Sequence, residues 1–327
     1  MPAVRVDDAR KVYGDPPEGV VAVDGVSFSV DEGEVFGLLG PNGAGKTSLI
    51  RILSTLTEAT SGRAEVAGVD VGEDPRGVRE RIGLVFQEPS LDNLLTGREN
   101  LELSAALYDV SRRQTRERID ELLDLMDLAG RGDDPVKQYS GGMKRRLEIA
   151  RGLLHDPEVL FLDEPTLGLD PQTRERLWAY IRSLREEGTT VLMTTHYMDE
   201  ADALCDRVAV IDQGQIQALD DPEALKRELG GTVVHLRALG TSEDELAQAP
   251  GVEDVQAEGE GTFVVQLAGE VAQLPAFLRT LDEVDHLEVT TPTLQDVFLS
   301  LTGRHLRQGE AEGDGWTEDY QRMKRAE

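Results

Sequence analysis

The sequence predicts an α/β protein with a parallel central sheet, followed by a smaller α+β domain. Two apolar runs, residues 159–162 and 191–193, lead into polar side chains, as strands covered on both faces of a parallel sheet do. A glycine-rich stretch, residues 40–47, lies between another apolar run and a segment whose apolar residues have helical spacing. Beyond residue 230 the pattern changes to a β-α-β-β-α-β order.

The glycine-rich stretch reads GPNGAGKT and fits G-x-x-x-x-G-K-[ST], the pattern of a phosphate-binding P-loop. Its glycines let backbone N–H groups approach an anion, and a helix that begins near Lys46 adds the positive end of its dipole. We expect Lys46 to reach the β- and γ-phosphates of a nucleotide and Thr47 to ligate Mg²⁺. The predicted nucleotide-binding residues of this stretch are Gly40, Pro41, Asn42, Gly43, Ala44, Gly45, Lys46, Thr47 and Ser48.

Charged residues follow the two apolar runs. Asp163 and Glu164 come after the first run, where two carboxylates are costly unless a cation or a water needs them. Asp163 fits the acidic residue that holds Mg²⁺, and Glu164 fits a general base for the attacking water. His196 follows the second run and is predicted to contact the γ-phosphate, although a lone histidine is usually structural.

Three further candidates for ligand binding can each be explained by a purely structural role as well. Gln87 follows a predicted strand and is placed to face a ligand, but taken alone it also fits a surface position. The Ser-Gly-Gly stretch at 140–142 opens a helix, where it forms either an anion site or an ordinary cap. Tyr13 either stacks on a nucleotide base or packs within a small antiparallel sheet. In that sheet, Asp24-Gly25 is expected to be a turn that separates two strands.

In this order and spacing, the motifs resemble the ATP-binding cassette (ABC) family over about residues 2–230. Tyr139 stands where leucine is more usual, and Met143 where glutamine is. Both residues occur in a branch that resembles the daunorubicin-resistance type of export ATPases. The residues that carry the resemblance are the P-loop, Gln87, Ser140, Gly141, Gly142, Asp163, Glu164, Asp170 and His196.

The resemblance implies that two copies of the chain form a homodimer, head to tail, around two ATP molecules. In each site, Mg²⁺ would be held by Thr47, Gln87 and Asp163. The catalytic residues would be Glu164, His196 and Gln87. Because the chain has one P-loop and one Ser-Gly-Gly signature, it carries half of each composite site.

The other half of each site would come from the second copy. Ser140, Gly141 and Gly142 of that copy would cap the γ-phosphate, and Asp170 would lie between the two sites and couple them. Tyr13 would stack on the adenine. Stacking discriminates poorly between bases, so GTP stays open beside ATP.

A role in transport is also implied by the family. No apolar run approaches the ~18 residues of a membrane-spanning helix, and the first residues lack the apolar core of a signal peptide. We therefore expect a cytoplasmic subunit that drives a separate integral-membrane permease from the inner face of the cell membrane, in multidrug export. A soluble ABC ATPase that acts on ribosomes or DNA is the alternative. A non-hydrolytic sensor would have lost Glu164 or His196, and both are present.

The charge balance bears on partners and on environment. The chain has 63 acidic and 34 basic residues, a formal net charge of −29. Nucleic acid and anionic lipid both need basic patches, so a general affinity for either is excluded from the expected functions. Acidity spread along the whole chain predicts adaptation to high salt, where screening removes the repulsion between like charges.

We expect three segments: residues 1–230 as the ATP-binding domain, 231–306 as an accessory α+β domain and 307–327 as a disordered tail. The β-α-β-β-α-β order of the accessory domain suggests a ferredoxin-like fold with an interaction or regulatory role. The tail is charged and poor in apolar residues.

Overall fold

The computed structural model describes residues 2–14, 19–86, 90–107, 112–229, 232–238, 240–259, 261–267, 274–279, 281, 284–290 and 292–303. Gln87 and the predicted tail lie outside these residues. The chain divides into two compact units, the first ending at Leu219 and the second beginning at Asp220. This division lies ahead of the boundary expected at residue 230, and the three segments stay a prediction.

The first unit contains a parallel sheet, an antiparallel sheet and helices. Its strands are β1 (Pro2–Tyr13), β2 (Val20–Asp31), β3 (Val35–Leu39), β4 (Ser61–Val66), β5 (Val69–Asp70), β6 (Ile82–Val85), β7 (Val159–Asp163), β8 (Thr190–Thr195), β9 (Arg207–Asp212) and β10 (Gln215–Asp220). Its α-helices are α1 (Lys46–Leu53), α2 (Pro75–Arg81), α3 (Gly97–Leu107), α4 (Arg112–Leu125), α5 (Gly141–Gly152), α6 (Pro171–Glu186) and α7 (Met198–Leu204).

The central sheet has the strand order β10-β9-β3-β8-β7-β6, and its β9-β3-β8-β7-β6 portion is parallel. Every residue of β3, β7 and β8 is buried, which explains why these segments appear in the sequence as apolar runs rather than as alternating patterns. Strands β3, β8 and β7 are neighbours, so the residues that follow them meet at one edge of the sheet. The predicted α/β fold is confirmed.

The antiparallel sheet has the order β2-β1-β4-β5 and lies over the central sheet with α1 contacting both. The buried side chains of the two sheets form one hydrophobic cluster, in which the rings of Phe28 and Phe36 stack with centroids 5.1 Å apart.

The expected turn at Asp24-Gly25 is wrong, because β2 continues through these residues. Gly25 takes a φ of 69° beside an irregular register between β1 and β2, and the backbone N–H of Asp24 donates to Gly214 O at 2.9 Å. The glycine therefore marks a bulge that redirects hydrogen bonding out of the sheet, and Gly214 N in turn donates to Ala44 O of the glycine-rich loop.

Helices α3, α4 and α5 pack together beyond the edge of the sheet that β6 forms. Tyr139, which precedes α5, is 6% exposed and donates its hydroxyl proton to Arg131 O at 2.7 Å. A Cβ on Gly97 would come within 2.3 Å of that hydroxyl oxygen. The phenol thus fits because it has a carbonyl partner and because α3 begins with a glycine.

The second unit is a four-stranded antiparallel sheet with helices on both faces. Its elements are α8 (Pro222–Leu229), β11 (Thr232–Ala238), α9 (Glu243–Ala247), β12 (Val252–Gly259), β13 (Thr262–Leu267), α10 (Leu274–Leu278), β14 (Val284–Thr290) and α11 (Leu294–Thr302). The strand order β12-β13-β11-β14 confirms the ferredoxin-like arrangement. Leu246 and Phe277 of α9 and α10 pack on one face of the sheet, and Leu299 of α11 packs on the other.

Candidate functional site

The glycine-rich loop joins β3 to α1 at the edge where β7 and β8 also end. Gly43 and Gly45 have positive φ angles of 81° and 106°. A Cβ on Gly40 would lie 2.2 Å from Ile211 O, and one on Gly45 2.3 Å from Ala22 O. These glycines are required by backbone conformation and by close packing. Gly45 is the N-cap of α1 and supplies no side-chain cap, so the first N–H groups of the helix are left to a ligand or to water.

Lys46 is the first residue of α1, and its side chain is buried beneath the loop. Its Nζ donates to Gly40 O at 2.7 Å and to Pro41 O at 3.1 Å, and lies 3.4 Å from Glu164 Oε1. Burial lowers the pKa of Lys46, and the carboxylates of Glu164 and Asp163 oppose that shift. The ammonium group thus connects the loop to the end of β7.

Asp163 ends β7 and is 1% exposed. Its Oδ1 accepts hydrogen bonds from Thr194 Oγ1 at 2.6 Å and from Thr47 Oγ1 at 3.3 Å. Burial raises the pKa of Asp163, while the two hydroxyl donors hold it down. A carboxylate and a hydroxyl oxygen side by side are ligands that suit Mg²⁺, which is usually bound by one or two protein groups together with phosphate oxygens.

Glu164 has a left-handed backbone, with φ of 46°. Its N–H donates to Thr194 Oγ1 at 3.0 Å and points toward Thr194 O at 3.2 Å. Its carboxylate lies between Lys46 and His196, with Oε2 3.2 Å from His196 Nδ1. Burial raises the pKa of Glu164, but the contact with His196 and the charge of Lys46 outweigh burial and lower it, so the group is a charged carboxylate at neutral pH.

His196 follows β8 and is held by a neighbouring ring. The rings of His196 and Tyr197 have centroids 4.1 Å apart, and the guanidinium of Arg174 lies over the Tyr197 ring at 4.8 Å. Arg174 also lies 3.4 Å from Asp199. Helix α6, which carries Arg174, therefore fixes the segment that presents the histidine.

Comparison with known proteins decides the family. A family model described as "ABC transporter" matches residues 23–167, and one described as "ATP-binding protein DrrA1-3-like, C-terminal domain" matches residues 221–302. The daunorubicin resistance ATP-binding protein DrrA2 of Streptomyces coeruleorubidus is 44% identical, over 94% of this chain and 98% of its own. The chain belongs to the ABC transporter family. The resemblance inferred from the sequence, including the daunorubicin-resistance branch, is confirmed.

Other members of the ABC family extend the comparison. The Nod factor export ATP-binding protein I of Ralstonia nicotianae is 40% identical, over 94% of this chain and 95% of its own. A solved dimer of an ATP-binding cassette, in a post-hydrolysis state bound to ADP and Pi, aligns with a TM-score of 0.62 at 28% identity, covering 67% of this chain and 98% of that chain. Among the described residues, no helix is long and apolar enough to cross a membrane.

The remaining predicted residues of this ABC chain lie outside the cluster around Glu164. Ser140 is exposed, caps α5 and accepts from Met143 N at 3.2 Å. Asp170 is exposed, caps α6 and accepts from Thr173 N at 3.0 Å. Within the described part of the chain, the side chains of both residues make their hydrogen bonds within their own helix caps and not to the cluster.

Tyr13 and Ser48 lie near the start of α1. The Tyr13 hydroxyl is 3.5 Å from Ser48 Oγ, and the Lys11 ammonium lies 4.8 Å from the centre of the Tyr13 ring. The ring is partly exposed at the end of β1. This position leaves both the stacking and the packing alternatives for Tyr13 open.

Two residues that contact the cluster were not predicted. Thr194, which directly follows the second apolar run, bonds to both Asp163 and the backbone of Glu164. Arg145 on α5 donates to the backbone carbonyls of both acids, at 2.8 Å and 3.0 Å. A hydroxyl residue near the carboxyl end of a buried strand was a usable signal for Thr194, but nothing in the sequence separates the buried Arg145 from its half-buried basic neighbours Lys144 and Arg146.

Proposed function

We propose that the chain binds Mg²⁺-ATP and hydrolyses it as the energy-supplying subunit of an exporter. The observation that carries the proposal is the position of the Glu164 carboxylate, which is buried, charged and fixed between Lys46 and His196 at the end of the P-loop. A carboxylate held in this way can accept a proton from a water molecule that attacks the γ-phosphate.

The neighbouring residues then have separate tasks. The N–H groups at the start of α1 bind phosphate oxygens, and Lys46 exchanges its bonds to Gly40 O and Pro41 O for bonds to the phosphates. Thr47 and Asp163, already joined by their own hydrogen bond, would hold Mg²⁺, with Gln87 as a further predicted ligand. Mg²⁺ supplies charge neutralisation on the phosphates. His196 orients the Glu164 carboxylate and the γ-phosphate.

The second half of each site belongs to another copy of the chain. The start of α5, with Ser140, Gly141 and Gly142, and the start of α6, with Asp170, both lie at the surface, where a partner is able to reach them. The solved relative that is a dimer supports this arrangement. ATP binding therefore closes a homodimer, and hydrolysis opens it.

This cycle of ATP binding and hydrolysis drives export. Relatives that match nearly the whole chain are named for daunorubicin resistance and for Nod factor export, so we infer that the chain serves an exporter of a drug-type cargo or of another small molecule. The cargo crosses through a separate membrane-spanning permease, to which the chain binds at the inner face of the membrane. The second unit, which matches the C-terminal domain of the DrrA type, acts as an accessory domain.

A Glu164→Gln variant tests the catalytic assignment. The amide cannot accept the proton, so ATP hydrolysis is expected to fall by at least roughly 100-fold while ATP binding is kept. Phosphate release gives the rate, and size-exclusion chromatography with ATP is expected to show an accumulated dimer. Glu158→Gln, at the opposite end of β7 and exposed, is the matched control and is expected to hydrolyse ATP at the wild-type rate. Near wild-type turnover in Glu164→Gln would remove Glu164 from the mechanism.

A further inference from the structure

Arg145 lies in α5, the helix that begins with the Ser-Gly-Gly signature, and is 6% exposed. Its guanidinium donates to four backbone carbonyls. It reaches Pro165 O at 2.8 Å, Asp163 O at 2.8 Å and Glu164 O at 3.0 Å, and it also donates to Phe86 O. One side chain therefore joins the signature helix to the end of β7 and to the end of β6.

Glu148, one turn further along α5, completes this connection. It is 1% exposed, lies 3.5 Å from the guanidinium of Arg145, and accepts from Ser90 N at 2.6 Å. The ion pair fixes the direction in which Arg145 donates, because a buried guanidinium needs an opposite charge and its planar fork has few orientations. Arg145 and Glu148 thus hold the described residues on both sides of the segment that contains Gln87.

The backbone of Glu164 is held from two directions. Its N–H donates to Thr194, and its carbonyl oxygen accepts from Arg145. A residue with a positive φ persists only when its surroundings fix it, so a shift of the guanidinium would rotate the carboxylate relative to Lys46 and His196. Ser140 caps α5 and Arg145 lies in the same continuous helix, so a rigid displacement of α5 would move both residues.

We propose that Arg145 is a positioning residue that links the two composite sites: when α5 closes on the partner's nucleotide, Arg145 aligns the Glu164 carboxylate of its own subunit. The proposal rests on the function proposed above. It differs from a purely structural role, in which Arg145 only satisfies buried carbonyls and its loss destabilises the fold.

The first test is the kinetics of Arg145→Lys and Arg145→Gln. Neither side chain can donate to four separated carbonyls, so kcat is expected to fall roughly 10- to 100-fold. The KM for ATP and the ATP-dependent dimer on size exclusion are expected to stay at wild-type values, because the P-loop and the start of α5 are intact. Arg146→Lys is the matched control, since Arg146 lies on the same helix but donates to Met126 O and to Asp127; its kcat is expected to stay at the wild-type value.

The second test is a double-mutant cycle with Glu164→Gln. If Arg145 acts through Glu164, adding Arg145→Lys to Glu164→Gln produces no further loss of rate. An additive loss, an unchanged kcat in the single variants, loss of the ATP-dependent dimer, or insolubility of both variants would each overturn the proposal. Absence of hydrolysis by the wild-type protein would instead contradict the proposed function.

Discussion

At the scale of single residues, the site depends on one strained backbone position. Glu164 has φ of 46°, a conformation that costs a non-glycine residue roughly 1–2 kcal/mol. Thr194 stabilises it by accepting from Glu164 N at 3.0 Å, and the same hydroxyl donates to Asp163 Oδ1 at 2.6 Å. One hydroxyl group therefore orients the Asp163 carboxylate and fixes the backbone of Glu164.

Replacing Thr194 by valine removes that hydroxyl and keeps the shape of the side chain. Because the site is fully buried, the unsatisfied groups left behind are expected to cost about 1–3 kcal/mol of unfolding free energy. We also expect kcat for ATP hydrolysis to fall roughly 10-fold or more, since the Asp163 carboxylate loses a donor and the backbone N–H of Glu164 loses an acceptor that positions its side chain. Urea denaturation and phosphate release measure the two effects.

Thr190→Val is the control for this variant. Thr190 begins the same strand, is 2% exposed, and accepts from Gly33 N at 3.0 Å, far from the acids. We expect a similar loss of stability with kcat unchanged. Equal kcat values for Thr194→Val and the wild type would show that the hydroxyl does not position the two acids.

The sequence predicted the residues of the cluster that lie at the end of a strand or directly after it. Asp163, Glu164 and His196 are identifiable because a charged group at the end of a buried strand needs a reason to be there. Thr194 and Arg145 were missed. The hydroxyl of Thr194 is compatible with a strand core, and a basic residue in a helical pattern usually lies on the solvent face, so only the tertiary packing of α5 against β7 reveals the burial of Arg145.

At the scale of elements, the junction between β3 and α1 needs two glycines for different reasons: one for its backbone conformation alone, the other also for close packing. Gly43 and Gly45 both have positive φ, but a Cβ at Gly43 would have nothing within 4 Å, whereas one at Gly45 would meet Ala22 O at 2.3 Å. Gly43→Ala is therefore expected to cost about 1–2 kcal/mol of unfolding free energy from backbone strain alone. Gly45→Ala adds a clash with β2 and is expected to cost at least about 2 kcal/mol more.

Urea unfolding in the absence of nucleotide checks this difference between the two glycines. Without nucleotide, the comparison excludes any contact between the new methyl group and a phosphate. Equal losses of stability in the two variants would contradict the close approach of β2 to Gly45. A larger loss in Gly43→Ala would contradict the open space at that position.

Element boundaries were predictable where a local signal coincides with the tertiary structure. Helix α2 begins at Pro75, as the proline indicates, and α11 begins after Thr293, whose capping box with Asp296 was available in the sequence. The Asp24-Gly25 signal failed because a glycine with positive φ serves a bulge as well as a turn. Which of the two occurs depends on Gly214, a partner almost two hundred residues away.

At the scale of the whole molecule, the net charge of −29 affects how the stability of the folded state depends on salt. Many ion pairs at the surface, such as those of Arg76 with Glu80 and Arg5 with Asp7, are exposed and contribute little stability each. The excess of acidic groups is therefore left to repel one another in dilute buffer. This repulsion opposes the compact state and is removed when salt shortens the Debye length, which is about 10 Å at 0.1 M and 3 Å at 1 M.

We therefore propose that the protein is adapted to high salt, and we expect its thermal midpoint to rise between about 0.1 M and 1 M KCl, the interval over which the Debye length falls below the spacing of surface charges. For a domain of this size each kcal/mol gained shifts the midpoint by roughly 2–4 °C. Scanning calorimetry in KCl, in NaCl and in sucrose separates the causes: screening predicts equal shifts in the two salts and a smaller one in the sugar. A midpoint that is the same at both KCl concentrations, with full ATPase activity in dilute buffer, would refute adaptation to high salt. The acidic residues would then contribute to solubility only.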